Sequence, residues 1–374
     1  MTASVRGRIS QPCYNLASWE RFDTRCRAEA STHREWSYAL EKQSISALMR
    51  RLSRAGFKKE FVRPALLPEW WDESSADEPG LLQDVELRVA RFLGAPLATI
   101  RDPSSPLTPP TYPRAQLRRV RDIERDRLAP ALHTAIRVAA AVVRCLKPQA
   151  TGVSIPPDDG LAWRSQIARI GPALELKDIV TDLWARGIPV VPLEVLPAPS
   201  FQGIACFVEG RPVVGVAHRN DEPGRLAYLV AHEAGHIAAR DCAPEQPVID
   251  EEEEIADDAD IEARADRFAT RLVAGGDAVP DVKGGGYKEL AQQASDLERS
   301  VGVDASAVIF AWARQTGDFA KATMAVRALY RGSGGRRQLR EIFDRHVDLD
   351  AATETDRALL RCVYGDPDLD EATA

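Results

Sequence analysis

The sequence predicts a mixed α+β protein, in which a small β-sheet region is flanked by mainly helical N- and C-terminal regions. Apolar residues at helical spacing recur in the N-terminal part of the chain, and several short helices are expected in its C-terminal part. IPVVPLEVL, GIACFV and PVVGVA, which predict strands, lie between these parts. Stretches rich in proline and glycine separate these parts. A chain of 374 residues can form about two or three compact units.

The breaks in the pattern predict the domain organisation. We expect an N-terminal helical domain over 1–102, a Pro-rich linker over 103–113, a helical segment over 114–147, a second linker over 148–160, a core domain over 161–276, a Gly-rich linker over 277–286 and a C-terminal helical region over 287–374.

The N-terminal half contains three predicted helical stretches. SISALMRRLSRAGF (44–57) and LLQDVELRVARFLG (81–94) each place apolar residues on one helix face and finish near a glycine. A third helix over about 114–146 is expected to be interrupted at Pro130. The adjacent Trp70 and Trp71 are interpreted as core residues in preference to a partner-docking site.

The central region combines helices with short strands. A helix over about 161–186 leads into the strand run IPVVPLEVL, and a hairpin joins GIACFV to PVVGVA across Glu209-Gly210-Arg211. NDEP (220–223) offers N-cap chemistry for the next helix. After an acidic stretch, a further helix over about 255–274 is expected to end at Gly275-Gly276.

Composition and charge limit the classes of protein. The N-terminus lacks the apolar run of a secretory signal, and the apolar stretch AIRVAAAVVRCL is too short to span a bilayer, so we expect a cytoplasmic protein that does not bind membranes. Residues 1–147 contain 25 Lys and Arg against 17 Asp and Glu, whereas residues 148–374 contain 24 against 39. The six dispersed cysteines favour neither a disulfide framework nor a cysteine-built zinc site.

The stretch LVAHEAGHIAARD (229–241) contains a His-Glu-x-x-His motif. On a helix, His232 and His236 lie on one face and can bind the same metal ion. Glu233 is then placed beside the ion, where a general base is needed to activate water. The apolar flanks indicate a buried helix, and Gly235 indicates close packing at that point. The pattern predicts a Zn²⁺ site with Glu233 as the catalytic base.

The third metal ligand is expected on a second helix, because a catalytic zinc commonly has three protein ligands. IEARADRFATRLV (261–273) places Glu262 and Asp266 four residues apart on one face. We assign Glu262 as the ligand and Asp266 as a hydrogen-bond partner of a ligand histidine. Four other residues remain possible ligands, with less support: Asp257, Asp258, Asp260 and Cys242.

Other histidines and tyrosines are given lesser roles. His218 is interpreted as a surface or supporting residue, and no site role is assigned to the isolated His33, His133 and His346. Tyr228 lies one helical turn before His232 and could stabilise an oxyanion, although core packing is the preferred interpretation. Tyr287 is a weaker candidate of the same kind.

HEAGH (232–236) followed by EARADRFA (262–269) resembles the ImmA/IrrE metallo-endopeptidases. The resemblance covers roughly residues 160–275 and implies a minimal zincin-like metallopeptidase core, in which a small sheet packs against the two motif helices. It carries His232, His236 and Glu262 over as zinc ligands and Glu233 as the base. Members of this family typically cleave a helix-turn-helix repressor or antitoxin, which releases stress-response, phage-defence or mobile-element genes.

Two other functions remain open from the sequence. The chain could be a non-proteolytic, zinc-binding transcriptional regulator that binds DNA or a partner through residues 1–147. The basic cluster Arg50, Arg51, Arg54, Lys58, Lys59 and Arg63 motivates that alternative, although a solvated helix face is the preferred explanation of the cluster. A zinc hydrolase that acts on small molecules has less support, because the sequence contains no nucleotide or sugar motif.

Overall fold

The computed structural model describes residues 44–68, 71, 79–110, 116–118, 125–147, 152–168, 171, 173–217, 221–242, 258–283, 285–329 and 334–364. The chain divides into two units, Met1–Lys42 and Gln43–Ala374. The first unit lies outside the described residues, so the fold is that of the second.

Helices dominate this unit, and a small sheet makes the protein α+β. In chain order the helices are α1 Ile45–Arg54, α2 Lys59–Leu66, α3 Pro79–Leu93, α4 Leu97–Arg101, α5 Ala129–Arg144, α6 Gly160–Gln166, α7 Leu176–Ala185, α8 Pro223–Ala238, α9 Asp258–Ala274, α10 Tyr287–Val301, α11 Ala305–Thr316, α12 Phe319–Leu329, α13 Gly335–His346 and α14 Glu354–Tyr364. Among the described residues, no helix combines the length and apolar character needed to cross a membrane.

The sheet has four strands in the order β1-β3-β4-β2. They are β1 Gln116–Arg118, β2 Val190–Pro192, β3 Gly203–Val208 and β4 Arg211–Val216. The predicted hairpin of β3 and β4 is confirmed, and its connection has positive φ at Glu209 (49°) and Gly210 (75°), as tight hairpin turns require. β2 is parallel to β4, whereas β1 is antiparallel to β3.

Two predicted helices differ from the structure. Residues 116–118 form a strand, because they pair with β3, and the helix of this segment begins only at Ala129. Pro130 therefore lies in the first turn of α5, where a missing N–H costs no hydrogen bond, and it does not interrupt the helix. The predicted helix over 161–186 is two helices, α6 and α7, with Gly171 (φ 123°) between them.

The apolar core extends across most of the unit. One continuous cluster of buried side chains contains residues from Ile45 in α1 to Val363 in α14, and it includes the sheet and α8. A second cluster lies within α10, α11 and α12 and extends to Ala274. The first cluster joins residues on both sides of the predicted domain boundary at 102. The domain boundaries expected from the sequence stay predictions.

Candidate metal centre

Helix α8 carries the His-Glu-x-x-His motif through the interior. His232, Glu233 and His236 are each 0% exposed, and the whole stretch from Leu226 to Ala238 is buried. The helix packs against α7, α9, α11, β3 and β4, so its apolar residues on every face find a neighbour. The site is therefore built on the most enclosed helix of the described unit.

The start of α8 is fixed by its neighbours. Pro223 occupies its first turn, and a Cβ at Gly224 would lie 1.6 Å from Ser306 Oγ, so only glycine allows α11 to come this close. The N-cap is Glu222, which makes no side-chain capping bond. The predicted capping role of NDEP is wrong: Asp221 Oδ1 instead accepts from the backbone N–H of Arg336 at 2.6 Å and so caps α13.

Close packing at Gly235 brings α9 to the motif, as the sequence predicted. A Cβ at Gly235 would lie 3.1 Å from a ring carbon of Phe268 and 3.3 Å from the Cα of Ala265. α9 begins at Asp258 and ends at Ala274, and the chain leaves this helix through Gly275, which has a φ of 72°. This approach places Glu262 opposite the two histidines.

The structure brings His232, His236 and Glu262 together. The two Nε2 atoms are 3.2 Å apart, Glu262 Oε2 lies 3.4 Å from His232 Nε2, and Glu262 Oε1 lies 3.6 Å from His236 Nε2. One ligand atom from each residue lies within 4.8 Å of the others, so the three could hold a metal ion. Within the described residues, this is the one such cluster of His, Cys, Asp and Glu.

The outer nitrogen of each histidine contacts a carboxylate. His232 Nδ1 lies 3.0 Å from Asp266 Oδ1, and His236 Nδ1 lies 3.0 Å from Asp241 Oδ2. An ionised carboxylate can only accept a hydrogen bond, so each Nδ1 carries the proton and each Nε2 presents its lone pair. Two lone pairs and the Glu262 carboxylate thus converge on one point, and this donor set fits a divalent cation such as zinc.

Asp266 lies where the sequence placed it, and Tyr228 has a different use. The Tyr228 hydroxyl lies 3.1 Å from Asp266 Oδ1 and donates to it, so one carboxylate oxygen is shared by Tyr228 and His232. Tyr228 itself is 9% exposed. Its hydroxyl supports the carboxylate behind His232, and this agrees better with the packing interpretation than with the oxyanion one.

Asp241 was missed by the sequence interpretation. It lies just after the end of α8, and its carboxylate joins His236 Nδ1 to Arg264 of α9, whose guanidinium is 2.5 Å from Asp241 Oδ1. Its position depends on Arg240, which adopts φ 63° and turns the chain back towards the helix. Spacing alone gives no signal for this turn, because arginine rarely adopts a positive φ.

Glu233 lies beside the cluster, against the sheet. A Cβ at Gly203, the first residue of β3, would lie 2.4 Å from Glu233 Oε1. Only a glycine leaves room for the carboxylate at this position. Solvent reaches the cluster from the side of α9, since the side chain of Glu262 is 40% exposed and that of Asp266 is 45% exposed.

Of the other proposed ligands, the two whose side chains the structure describes, Asp260 and Cys242, are not part of the cluster. Asp260 is exposed on α9 and is not part of the cluster, Asp257 lies outside the described residues, and the side chain of Asp258 is not described. Cys242 is buried, and burial together with the nearby Asp241 and Glu233 raises the pKa of its thiol to about 12. Its sulfur is not one of the ligand atoms that converge in the cluster.

The remaining candidates from the sequence differ in how much of them the structure describes. Tyr287 begins α10 and packs against the second apolar cluster. His218 lies outside the described residues, as do Trp70 and His33. Trp71 packs against the main core, beneath the guanidinium of Arg63 at 5.4 Å, which supports the core interpretation of this residue.

One member of the predicted basic cluster is structural. Arg51 is 8% exposed and donates to the carbonyl oxygens of Ile100, Thr99 and Ser105 at 2.6, 2.9 and 2.8 Å, so it ties α1 to the end of α4. Its inclusion among the residues available to DNA was therefore wrong. The other five are exposed on α1, on α2 and just before α2: Arg50, Arg54, Lys58, Lys59 and Arg63.

No family model matches the chain, and neither the curated proteins nor the solved structures include a match to it. The resemblance to the ImmA/IrrE metallo-endopeptidases therefore depends on the two motifs, HEAGH and EARADRFA.

Proposed function

We propose that this chain is a zinc-dependent endopeptidase whose centre is formed by α8 and α9. The observation that carries the proposal is the convergence of two imidazole lone pairs and one carboxylate beside a second, fully buried carboxylate, Glu233. Zinc hydrolases commonly use two histidines and one glutamate as ligands and keep one position open. His232, His236 and Glu262 would hold the ion.

The residues divide the chemistry among them. When bound, zinc acts as a Lewis acid that polarises the scissile carbonyl and makes a coordinated water easier to deprotonate. Glu233 would accept the proton of the attacking water and deliver it to the nitrogen of the leaving amine. Asp266 holds His232 in the tautomer that leaves Nε2 available, and the Gly203 backbone limits where the Glu233 carboxylate can lie.

A regulatory protein of the helix-turn-helix class, either a repressor or an antitoxin, is the proposed substrate. This part of the proposal follows from the resemblance of the two motifs and predicts that cleavage derepresses stress, phage-defence or mobile-element genes. The exposed basic residues on α1, on α2 and just before α2 support the alternative of a regulator that binds DNA without proteolysis. Salt-sensitive DNA binding that persists in a Glu233 variant would favour that alternative.

The Glu233→Gln variant tests the proteolytic function. Glutamine keeps the shape of the side chain but cannot accept the proton of water, so we expect cleavage to fall by at least about 100-fold while zinc remains bound. Purified wild type or variant is added to portions of one lysate, prepared from source cells that lack this gene. Terminal-amine proteomics then compares the new protein N-termini that form in each portion.

Glu341→Gln is the matched control, because Glu341 is an exposed acid on α13 that pairs with Arg337 of the same helix at 3.7 Å. The proposal predicts the same new N-termini with this control as with the wild type. An equal set of N-termini from Glu233→Gln, or none from zinc-loaded wild type, would contradict the proteolytic function.

A further inference from the structure

We propose that Asp241, held by Arg264, is a positioning residue that orients His236 and fixes the spacing of the two ligand helices. The inference rests on the proposed zinc site and adds to it a residue that neither motif contains. It arises from the polar contacts at the C-terminal end of α8.

The end of α8 turns Asp241 back onto the helix. After Ala239 the chain passes through Arg240 at φ 63°, a conformation that residues other than glycine rarely adopt. The N–H of Arg240 donates to Ile237 O at 3.1 Å, and the N–H of Asp241 donates to His236 O at 2.9 Å. These bonds fix the backbone of Asp241 beside the last histidine.

The carboxylate of Asp241 lies on the outer side of His236. Its Oδ2 is 3.0 Å from Nδ1, whereas Nε2 faces His232 and Glu262. Asp241 is consequently not a fourth ligand. Its side chain is 8% exposed, so its contact with Nδ1 is shielded from bulk water and orients the ring strongly.

The second oxygen of Asp241 connects this residue to α9. Arg264 donates to Oδ1 from a position two residues after Glu262. Asp241 therefore contacts the second histidine of α8 and, through Arg264, the helix that supplies the third ligand. Four residues after Glu262, Asp266 of α9 contacts His232 directly at 3.0 Å. These two contacts connect α9 to both ligand histidines of α8.

This arrangement predicts a graded loss of metal affinity. Removing an outer partner of a ligand histidine typically weakens metal binding about 10- to 100-fold. Asp241→Ala should show a loss of this size. Asp241→Asn keeps an oxygen that accepts from Nδ1 but loses the charge that attracts Arg264, so it should lose less, and Arg264→Gln should lose less again.

The experiment measures the zinc affinity of the full chain by competition with a chromophoric chelator. The visible absorption spectrum of the Co²⁺-loaded protein is recorded in parallel, because it reports ligand geometry and a residue that only stabilises the fold would not change it. Asp277→Ala is the matched control, since Asp277 is an exposed acid that pairs with Arg271 of α9. It should leave both affinity and spectrum as in the wild type.

The outcomes separate this inference from the proposed function. Wild-type affinity and spectrum in Asp241→Ala, with zinc binding lost in His232→Ala, would overturn the role of Asp241 and leave the zinc site intact. Zinc binding that is absent from the wild type, or unaffected in His232→Ala, would overturn the zinc site itself. If Asp241→Ala does not fold, Asp241→Asn and the exposed-site variant Arg264→Gln decide, and unchanged affinity in both would contradict the inference.

Discussion

Two kinds of buried histidine occur in this protein, and they have different neighbours. His133 in α5 is 1% exposed, and its Nε2 donates to the carbonyl oxygen of Phe92 at 2.7 Å. His232 and His236 in α8 are equally buried, but each donates through Nδ1 to a carboxylate and directs Nε2 at the other. Burial therefore does not distinguish the two kinds, whereas the direction of the ring lone pairs does.

The environment of His133 suits a neutral core residue. Its ring lies edge-on to Phe92, with centroids 4.9 Å apart. Burial lowers the pKa of His133 to about 4, and Arg137 acts in the same direction, while the bond to the Phe92 carbonyl opposes them. This ring fills the space between α3 and α5.

The largest expected contrast is in metal binding after substitution of one histidine from each kind. His236→Gln removes one of three ligands and should lower zinc affinity beyond the roughly 100-fold loss typical of an outer partner. His133→Gln keeps an N–H for the Phe92 carbonyl and should bind zinc as the wild type does. Chelator competition measures both. Equal losses of zinc affinity in the two variants would show that the loss comes from substituting any buried histidine and does not depend on the convergence of the ring nitrogens.

A smaller contrast is expected in the pH dependence of stability. The pKa of His133 is about 4 in the folded protein against 6.5 in the unfolded chain, so the unfolded state binds the proton more readily. The contribution of neutral His133 to the free energy of unfolding should have its full value above pH 6.5, and it should fall as the pH decreases towards 4. At pH 5 the loss is about 2 kcal/mol.

Urea unfolding of the metal-free wild type and of His133→Gln, at pH 7 and pH 5, measures this contribution. The wild type should lose about 2 kcal/mol more than the variant over that interval. A metal chelator keeps both proteins metal-free, so loss of bound metal does not contribute to the difference between them. The same pH dependence in both proteins would contradict the assignment of His133 as a neutral core residue.

Local patterns in the sequence predicted the parts of the site that lie within single helices. The spacing of His232 and His236, and that of Glu262 and Asp266, places each pair on one helix face, and the hairpin of β3 and β4 follows from two β-branched runs around a tight turn.

The parts that depend on distant partners were not predicted. Asp241 reaches His236 only because Arg240 takes a positive φ, and Gln116 forms a strand only because Ala205 lies beside it. Arg51 is buried by carbonyl groups about 50 positions further along the chain. Periodicity within a window of residues contains no record of such contacts.

Zinc content is the measurement that tests the central claim most directly. Elemental analysis of wild type, Glu262→Ala and Asp260→Ala, purified identically without added metal, compares the proposed third ligand with an exposed acid on the same helix. The three-ligand centre predicts about one zinc per chain in wild type and in Asp260→Ala, and a strong loss in Glu262→Ala. Zinc retained in Glu262→Ala, or absent from the wild type even after reconstitution, would contradict it.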